Sequence, residues 1–205
     1  MLSKEQQDEI IAQRTRREEE GKRICGAHFG SRFSEASFGS IVATKSCIDS
    51  IYAWMKNPGS TLLISSNPGT GKTYMCAAVF NYLFSKFYTP RVHKERNFFE
   101  KVRGFMDLSG DYMTHMQFLI DDPFMIFDDM GSTRLNDWHK EILHSMIDYR
   151  YENKLSTMIT TNLSKQELSS VFHERTISRL FCKDNFIVEF QQMDFRSNPQ
   201  LLKKD

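Results

Sequence analysis

The run Ser66-Asn67-Pro68-Gly69-Thr70-Gly71-Lys72-Thr73 follows the apolar stretch TLLIS (61–65) and constrains the fold more than any other feature of this 205-residue sequence. A short buried strand that passes through a glycine turn into a helix is the setting in which a backbone can wrap a chain of phosphates. Gly69 and Gly71 allow successive N–H groups to point inward, and the helix that follows adds the positive end of its dipole. Lys72 is placed to neutralise the β- and γ-phosphates, and Thr73 to offer a hydroxyl to magnesium. The usual first glycine of such a loop is Ser66, a change expected to stiffen the loop entrance or slow turnover.

Three more apolar runs, FMIFD (124–128), STMIT (156–160) and NFIVEF (185–190), have the length and continuity of strands buried on both faces. Between them, residues 137–153 place Trp138, Ile142, Leu143, Met146 and Ile147 on one helical face, and Ser164 with Glu167 forms a capping box. The expected order is strand, glycine loop, helix, a variable middle, then strand, helix, strand, helix, helix and strand. That order is an α/β doubly wound layer, a parallel sheet flanked by helices. An amphipathic helix is expected just before the first strand, over 45–56, with Ile48, Ile51, Tyr52 and Met55 at helical spacing.

The strand FMIFDD ends in two carboxylates at the edge where α/β sheets bind ligands. Asp128 is expected to hold magnesium through water and Asp129 to polarise an attacking water. Thr160-Thr161-Asn162 closes the next strand and either orients that water or forms a simple turn before the capped helix. Arg175 and Arg179 lie four apart on one face of HERTISRL, either solvated or paired, or supplied to a neighbouring subunit's site.

A chain with 26% charged and 40% hydrophobic residues is an ordinary globular composition, and no apolar run approaches the ~20 residues that span a bilayer. A cytoplasmic location is expected. The formal charge of +1 argues against a surface coated for duplex DNA but leaves a local nucleic-acid groove open. Cys25, Cys47, Cys76 and Cys182 are far apart with no CxxC pair, which favours reduced thiols. Residues 4–24 are almost all charged or polar, with Ile10, Ile11 and Ala12 as the apolar cluster, so residues 1–28 form either a frayed tail or a docking arm ahead of a domain covering 29–205.

Taken together, SNPGTGKT, IFDDMG, the stretch WHKEILHSMIDYRYENKLSTMITTNLSKQEL and the closing ERTISRL resemble the DnaC/DnaI-type replicative helicase loaders and the related IstB transposition ATPases. The likeness covers roughly residues 29–190. It implies a P-loop NTPase of the AAA+ type without a C-terminal helical lid, matching the short tail after the last strand. It also implies ATP and Mg2+ as cofactors, with Asn67, Pro68, Gly69, Thr70, Gly71, Lys72 and Thr73 as the Walker A segment. Asp128 and Asp129 correspond to Walker B, Asn162 to sensor 1 and Arg179 to the arginine finger, with Arg175 the weaker candidate. The implied partners are a replicative hexameric helicase, single-stranded DNA and further copies of the chain.

Loaders of this kind carry an inserted helix that helps contact single-stranded DNA. The corresponding PRVHKERNFFEKVRGFM mixes Arg91, His93, Lys94, Arg96, Lys101 and Arg103 with Phe98, Phe99 and Phe105. The phenylalanines are either stacking platforms or the core face of an amphipathic helix. The separate helicase-binding domain of typical loaders has no counterpart in the first 28 residues, a shortness that resembles compact loaders of phages or mobile elements. Three functions follow from the resemblance: a loader, an IstB-like ATPase that regulates a transposase, and a helicase-capturing inhibitor with the same fold.

Overall fold

The computed structural model describes residues 3–106 and 112–190, the side chains of residues 112, 113 and 190 excepted. These residues divide into two compact units, one formed by residues up to 41 with 73–90 and the other by residues 42–72 and those from 91 onward.

The larger unit is built on five parallel strands: β1 (Thr61–Ser66), β2 (Arg91–Lys94), β3 (Phe124–Met130), β4 (Ser156–Thr161) and β5 (Phe186–Phe190), in the spatial order β2-β3-β4-β1-β5. Four of them coincide with the apolar runs read from the sequence. The fifth, β2, lies in the stretch expected to be variable, because only Val92 and His93 are buried between the half-buried Arg91 and Lys94. A strand this short, with charged ends, leaves no apolar run to detect.

Helix α2 (Lys45–Lys56) is capped by Thr44, whose side chain accepts from the Cys47 N–H. It buries Cys47, Ile51 and Trp54, so its inner face is rotated from the expected set, and Ile48, Tyr52 and Met55 lie at its margins. Helices α4 (Glu95–Met106), α5 (Tyr112–Ile120), α6 (Asp137–Glu152), α7 (Lys165–Val171) and α8 (Glu174–Leu180) complete the unit, and the capping box at Ser164 and Glu167 opens α7 as expected. A continuous core joins Phe98, Phe99 and Val102 of α4 to Met125 and Phe127 of β3, to Leu143 and Met146 of α6, and to Leu180 of α8. The buried Arg150 guanidinium donates to the Thr157 hydroxyl and to the carbonyls of Ile120, Asp122 and Ser156, tying α6 to the start of the strands.

The smaller unit contains α1 (Lys4–Phe29), two 3-10 turns (Ser31–Phe33 and Phe38–Ser40) and, from its second residue, α3 (Lys72–Ser85). Helix α1 starts at a Ser3–Gln6 capping box. Its residues 3–16 are exposed throughout, whereas Gly21, Cys25 and Phe29 are buried. The Arg17 guanidinium lies 3.5 Å from the centroid of the Phe84 ring and donates to the Phe84 carbonyl at 3.2 Å, closing the end of α3. A Cβ on Gly21 would meet the same ring at 2.9 Å. The boundary expected at residue 28 thus falls in the last turn of a helix whose two halves differ in burial.

The tail after β5, residues 191–205, on which the expected absence of a lid depends, lies outside the described residues. Among the described residues no helix is long and apolar enough to cross a membrane.

Candidate functional site

The loop between β1 and α3 takes the backbone path that its glycines permit. Gly69 and Gly71 have φ values of +84° and +95°, in the left-handed region where a side chain is strained. A Cβ at Gly71 would meet nothing within 4 Å, so this glycine is required by conformation, and the space beside it is open. The Lys72 ammonium is folded into the loop, donating to the Ser66 carbonyl at 2.7 Å and the Asn67 carbonyl at 2.9 Å. It also reaches the Ser66 hydroxyl at 3.2 Å. That hydroxyl lies 2.5 Å from the Thr70 hydroxyl, which donates to the Asn67 carbonyl at 2.9 Å. The residue standing where a glycine is usual therefore cross-ties the loop. Positive-φ glycines, an open space at Gly71 and a buried cation that donates to carbonyl and hydroxyl oxygens of the loop suit a phosphate chain, whose oxygens would replace those acceptors. Thr73 follows Lys72 as the second residue of α3.

Strand β4 lies between β1 and β3, so the tip carrying Thr160, Thr161 and Asn162 stands between the phosphate loop and the two carboxylates. The β3–β4 register runs from Phe127↔Ile159 to Met130↔Thr161, leaving Asp128 and Asp129 opposite the single residue Thr160. This is a β-bulge. In an unbroken strand consecutive side chains point to opposite faces, whereas the extra residue turns the chain locally. Asp129 takes up the change with a φ of +69°, a conformation that costs about 1 kcal/mol and that Asp tolerates better than most residues. The Thr160 hydroxyl holds the bulge from both sides, donating to Asp128 Oδ1 at 2.7 Å and accepting from the Asp129 N–H at 2.9 Å. Asn162 donates from Nδ2 to Asp129 Oδ1 at 2.9 Å. Both carboxylates are thus gathered at the end of β4, Asp128 buried and Asp129 half-exposed.

Asn162 is therefore joined to Asp129 by a side-chain bond, where the sequence left open a plain turn. Thr161 takes a structural part, donating to the Met130 carbonyl at 2.7 Å. Arg175 and Arg179 face α6: Arg179 Nε lies 2.5 Å from Asp148 Oδ1, and Arg175 donates to Asp148 Oδ2 at 3.0 Å. Glu152 is within reach of both arginines. Of the alternatives open in the sequence, this conformation shows pairing within the chain.

The basic segment departs from the stacking alternative. Phe98 and Phe99 are buried in the core, and Phe105 packs beside it with its ring 5.1 Å from that of His115. His93 is buried too, bonded through Nε2 to the Leu119 carbonyl, and burial lowers its pKa to about 4. Arg91 is paired with Asp122 at 2.6 Å. The apolar half of α4 was needed to cover the sheet, which leaves Arg96, Lys101 and Arg103 as the exposed cations.

One residue absent from the sequence-based candidates is Glu95, the first of α4. It is 1% exposed, and its carboxylate accepts from the N–H groups of Gly131 and Thr133 and from the hydroxyls of Ser132 and Thr133. A single acid inside a basic run carries no signal in the sequence.

Residues 6–185 match the family described as IstB-like ATP binding protein. Among curated relatives, the phage-like element PBSX protein XkdC of Bacillus subtilis (strain 168) is 28% identical over 141 residues, covering 63% of this chain and 50% of the relative. The replicative helicase loader DnaC of Escherichia coli (strain K12) is 23% identical over 142 residues, covering 67% of this chain and 57% of the relative. The chain spans about half the length of these curated relatives. Among solved structures, the DnaC helicase loader superposes with a TM-score of 0.68 at 24% identity, over 78% of this chain and 99% of that one. DnaI gives 0.63 at 18%, over 77% and 92%. The replication initiator DnaA bound to AMPPCP and single-stranded DNA gives 0.67 at 14%, over 78% and 50%. At these identities the superpositions speak to the fold, the AAA+ P-loop architecture expected from the sequence. With the family match running from α1 to the edge of β5, the chain belongs to the IstB-like ATP binding proteins.

Proposed function

We propose that this protein binds ATP with Mg2+, hydrolyses it, and uses the cycle to load a replicative hexameric helicase onto single-stranded DNA. The observation that carries the reading is the gathering of Asp128, Asp129 and Asn162 at the tip of β4, the strand beside the one that ends in the phosphate loop. Lys72 would exchange its carbonyl acceptors for the β- and γ-phosphate oxygens, with Asn67, Gly69, Thr70 and Gly71 supplying N–H donors. Asp128, with Thr73 by its place in the motif, would hold Mg2+, which when bound neutralises charge developing on the phosphates. Asp129 accepts a proton from the attacking water, and Asn162 holds that carboxylate in place. Arg179, with Arg175 beside it, is supplied to the next subunit's nucleotide in an assembly, after leaving Asp148.

The exposed first half of α1, with Ile10 and Ile11 on its surface, is the docking segment for the helicase, and 29–205 the ATPase domain. Arg96, Lys101 and Arg103 on the outer side of α4 contact DNA phosphates without base stacking by Phe98 or Phe99. The location is cytoplasmic. The likeness to DnaC supports the loader reading, and the family description favours a second one, an IstB-like regulator of a transposase.

Nucleotide titration and turnover on three proteins test the site. Lys72→Ala is expected to weaken ATP binding by at least tenfold, about 1.4 kcal/mol, and Asp129→Asn to bind normally without turnover. Normal binding by folded Lys72→Ala overturns the site. Co-sedimentation with a hexameric helicase on single-stranded DNA then supports the loader, a preference for duplex DNA and a transposase supports the second reading, and capture of the helicase without hydrolysis makes the protein an inhibitor.

A further inference from the structure

Glu95 presents an unusual arrangement: a buried carboxylate with no ion pair among the described residues. Burying a charge is costly unless it is fully hydrogen-bonded. Among the described residues every donor comes from one short segment: the N–H of Gly131, the Ser132 hydroxyl at 3.4 Å, and the N–H and hydroxyl of Thr133 at 3.0 and 2.7 Å. That segment directly follows Asp129.

Residues 129–132 form a turn in which the Ser132 N–H donates to the Asp129 carbonyl at 3.2 Å and Gly131 has a φ of +79°. A Cβ on Gly131 would come within 2.6 Å of Leu163 Cδ1, so the turn is closely seated as well as conformationally demanding. Asp129 opens this turn in a left-handed conformation. Two sides hold it: the Thr160 hydroxyl bonds the Asp129 N–H, and the Glu95 carboxylate bonds the turn's central N–H at Gly131.

We infer that Glu95 is a positioning residue for hydrolysis, anchoring the 129–132 turn and thereby the place from which Asp129 meets the attacking water. The inference rests on the ATPase reading above. Glu95 acts through the turn rather than as a reacting group. Its acceptor-only carboxylate is what the segment requires, because all of the groups that meet it are donors.

Glu95→Gln keeps the shape and one acceptor oxygen but sets an amide N–H against a donor. Its nucleotide affinity, single-turnover hydrolysis, unfolding midpoint and amide hydrogen exchange over 129–133 are compared with wild type. The expected result is a turnover loss of about tenfold or more, about 1.4 kcal/mol in barrier, with ATP affinity within about twofold and faster exchange confined to the turn. Thr133→Val removes a single donor and serves if Glu95→Gln does not fold; a severalfold turnover loss at unchanged affinity is expected. Wild-type turnover in either folded variant overturns the inference, as does a turnover loss matched by weaker nucleotide binding and a lower unfolding midpoint, which marks a purely structural role. A wild-type chain that binds ATP but never hydrolyses it overturns the ATPase reading together with this role, an outcome separable from the others because it appears without any substitution.

Discussion

At the scale of single residues, Thr160 shows how much of the site depends on one hydroxyl. It donates to the Asp128 carboxylate and accepts from the backbone of Asp129, so it stabilises both the charge of the first and the strained conformation of the second. Thr160→Val keeps the shape but leaves a buried carboxylate and an N–H each short of a partner. The expected cost is about 1–3 kcal/mol in urea denaturation, together with a loss of ATP turnover, because Asp129 can relax toward extended backbone. Unchanged stability would show that water replaces the hydroxyl. The sequence exposed the acidic pair, the Thr-Thr-Asn end of the next strand and the phosphate loop, all from residue types at local spacing. The two-against-one register was not legible there, since alternation along FMIFDD describes a regular strand and nothing in the acidic pair marks an inserted residue.

At the scale of elements, the arginine pair of α8 meets an acidic pair of α6 with the same four-residue spacing, Asp148 and Glu152. Each spacing is visible in the sequence, yet the match depends on the packing of two helices 27 positions apart in the chain. Arg179 is mostly covered and Arg175 mostly exposed, and this difference decides the expected energetics. Arg179→Ala should cost about 1–2 kcal/mol in urea denaturation, because it leaves the largely buried Asp148 with only its outer partner, whereas Arg175→Ala should cost less than about 0.5 kcal/mol. Equal losses would show that the cluster acts as one solvent-exposed network. Helix α4 teaches the converse: a mixed basic and aromatic segment offered two readings, and the need to cover the sheet sent Phe98 and Phe99 inward.

For the whole molecule, the most telling ionisable group is His93, enclosed on β2 with Nε2 on the Leu119 carbonyl and no hydrogen-bond partner for Nδ1 among the described residues. Its pKa, lowered to about 4 by burial, lies below the ordinary value near 6.5, so the unfolded chain binds a proton that the folded chain refuses. This contribution is fully present above pH 6.5 and is lost as the pH falls toward 4, up to roughly 3 kcal/mol. Denaturation midpoints measured across that window should fall with acidity in the wild type and fall less in His93→Leu; parallel curves would remove the histidine from the acid response. The amino-acid sequence by itself determined the phosphate loop, four of the five strands, the acidic strand end and the capped helix after β4, since each depends on neighbours in the chain. Tertiary structure decided β2, the bulge that brings Asp128 and Asp129 to one threonine, the anchoring of their turn by Glu95 and the opposite fates of the two halves of α1. The physical reason is range: periodicity and turn chemistry act over a few residues, whereas a buried charge or a strained backbone is sustained only by groups that folding brings from tens of residues away.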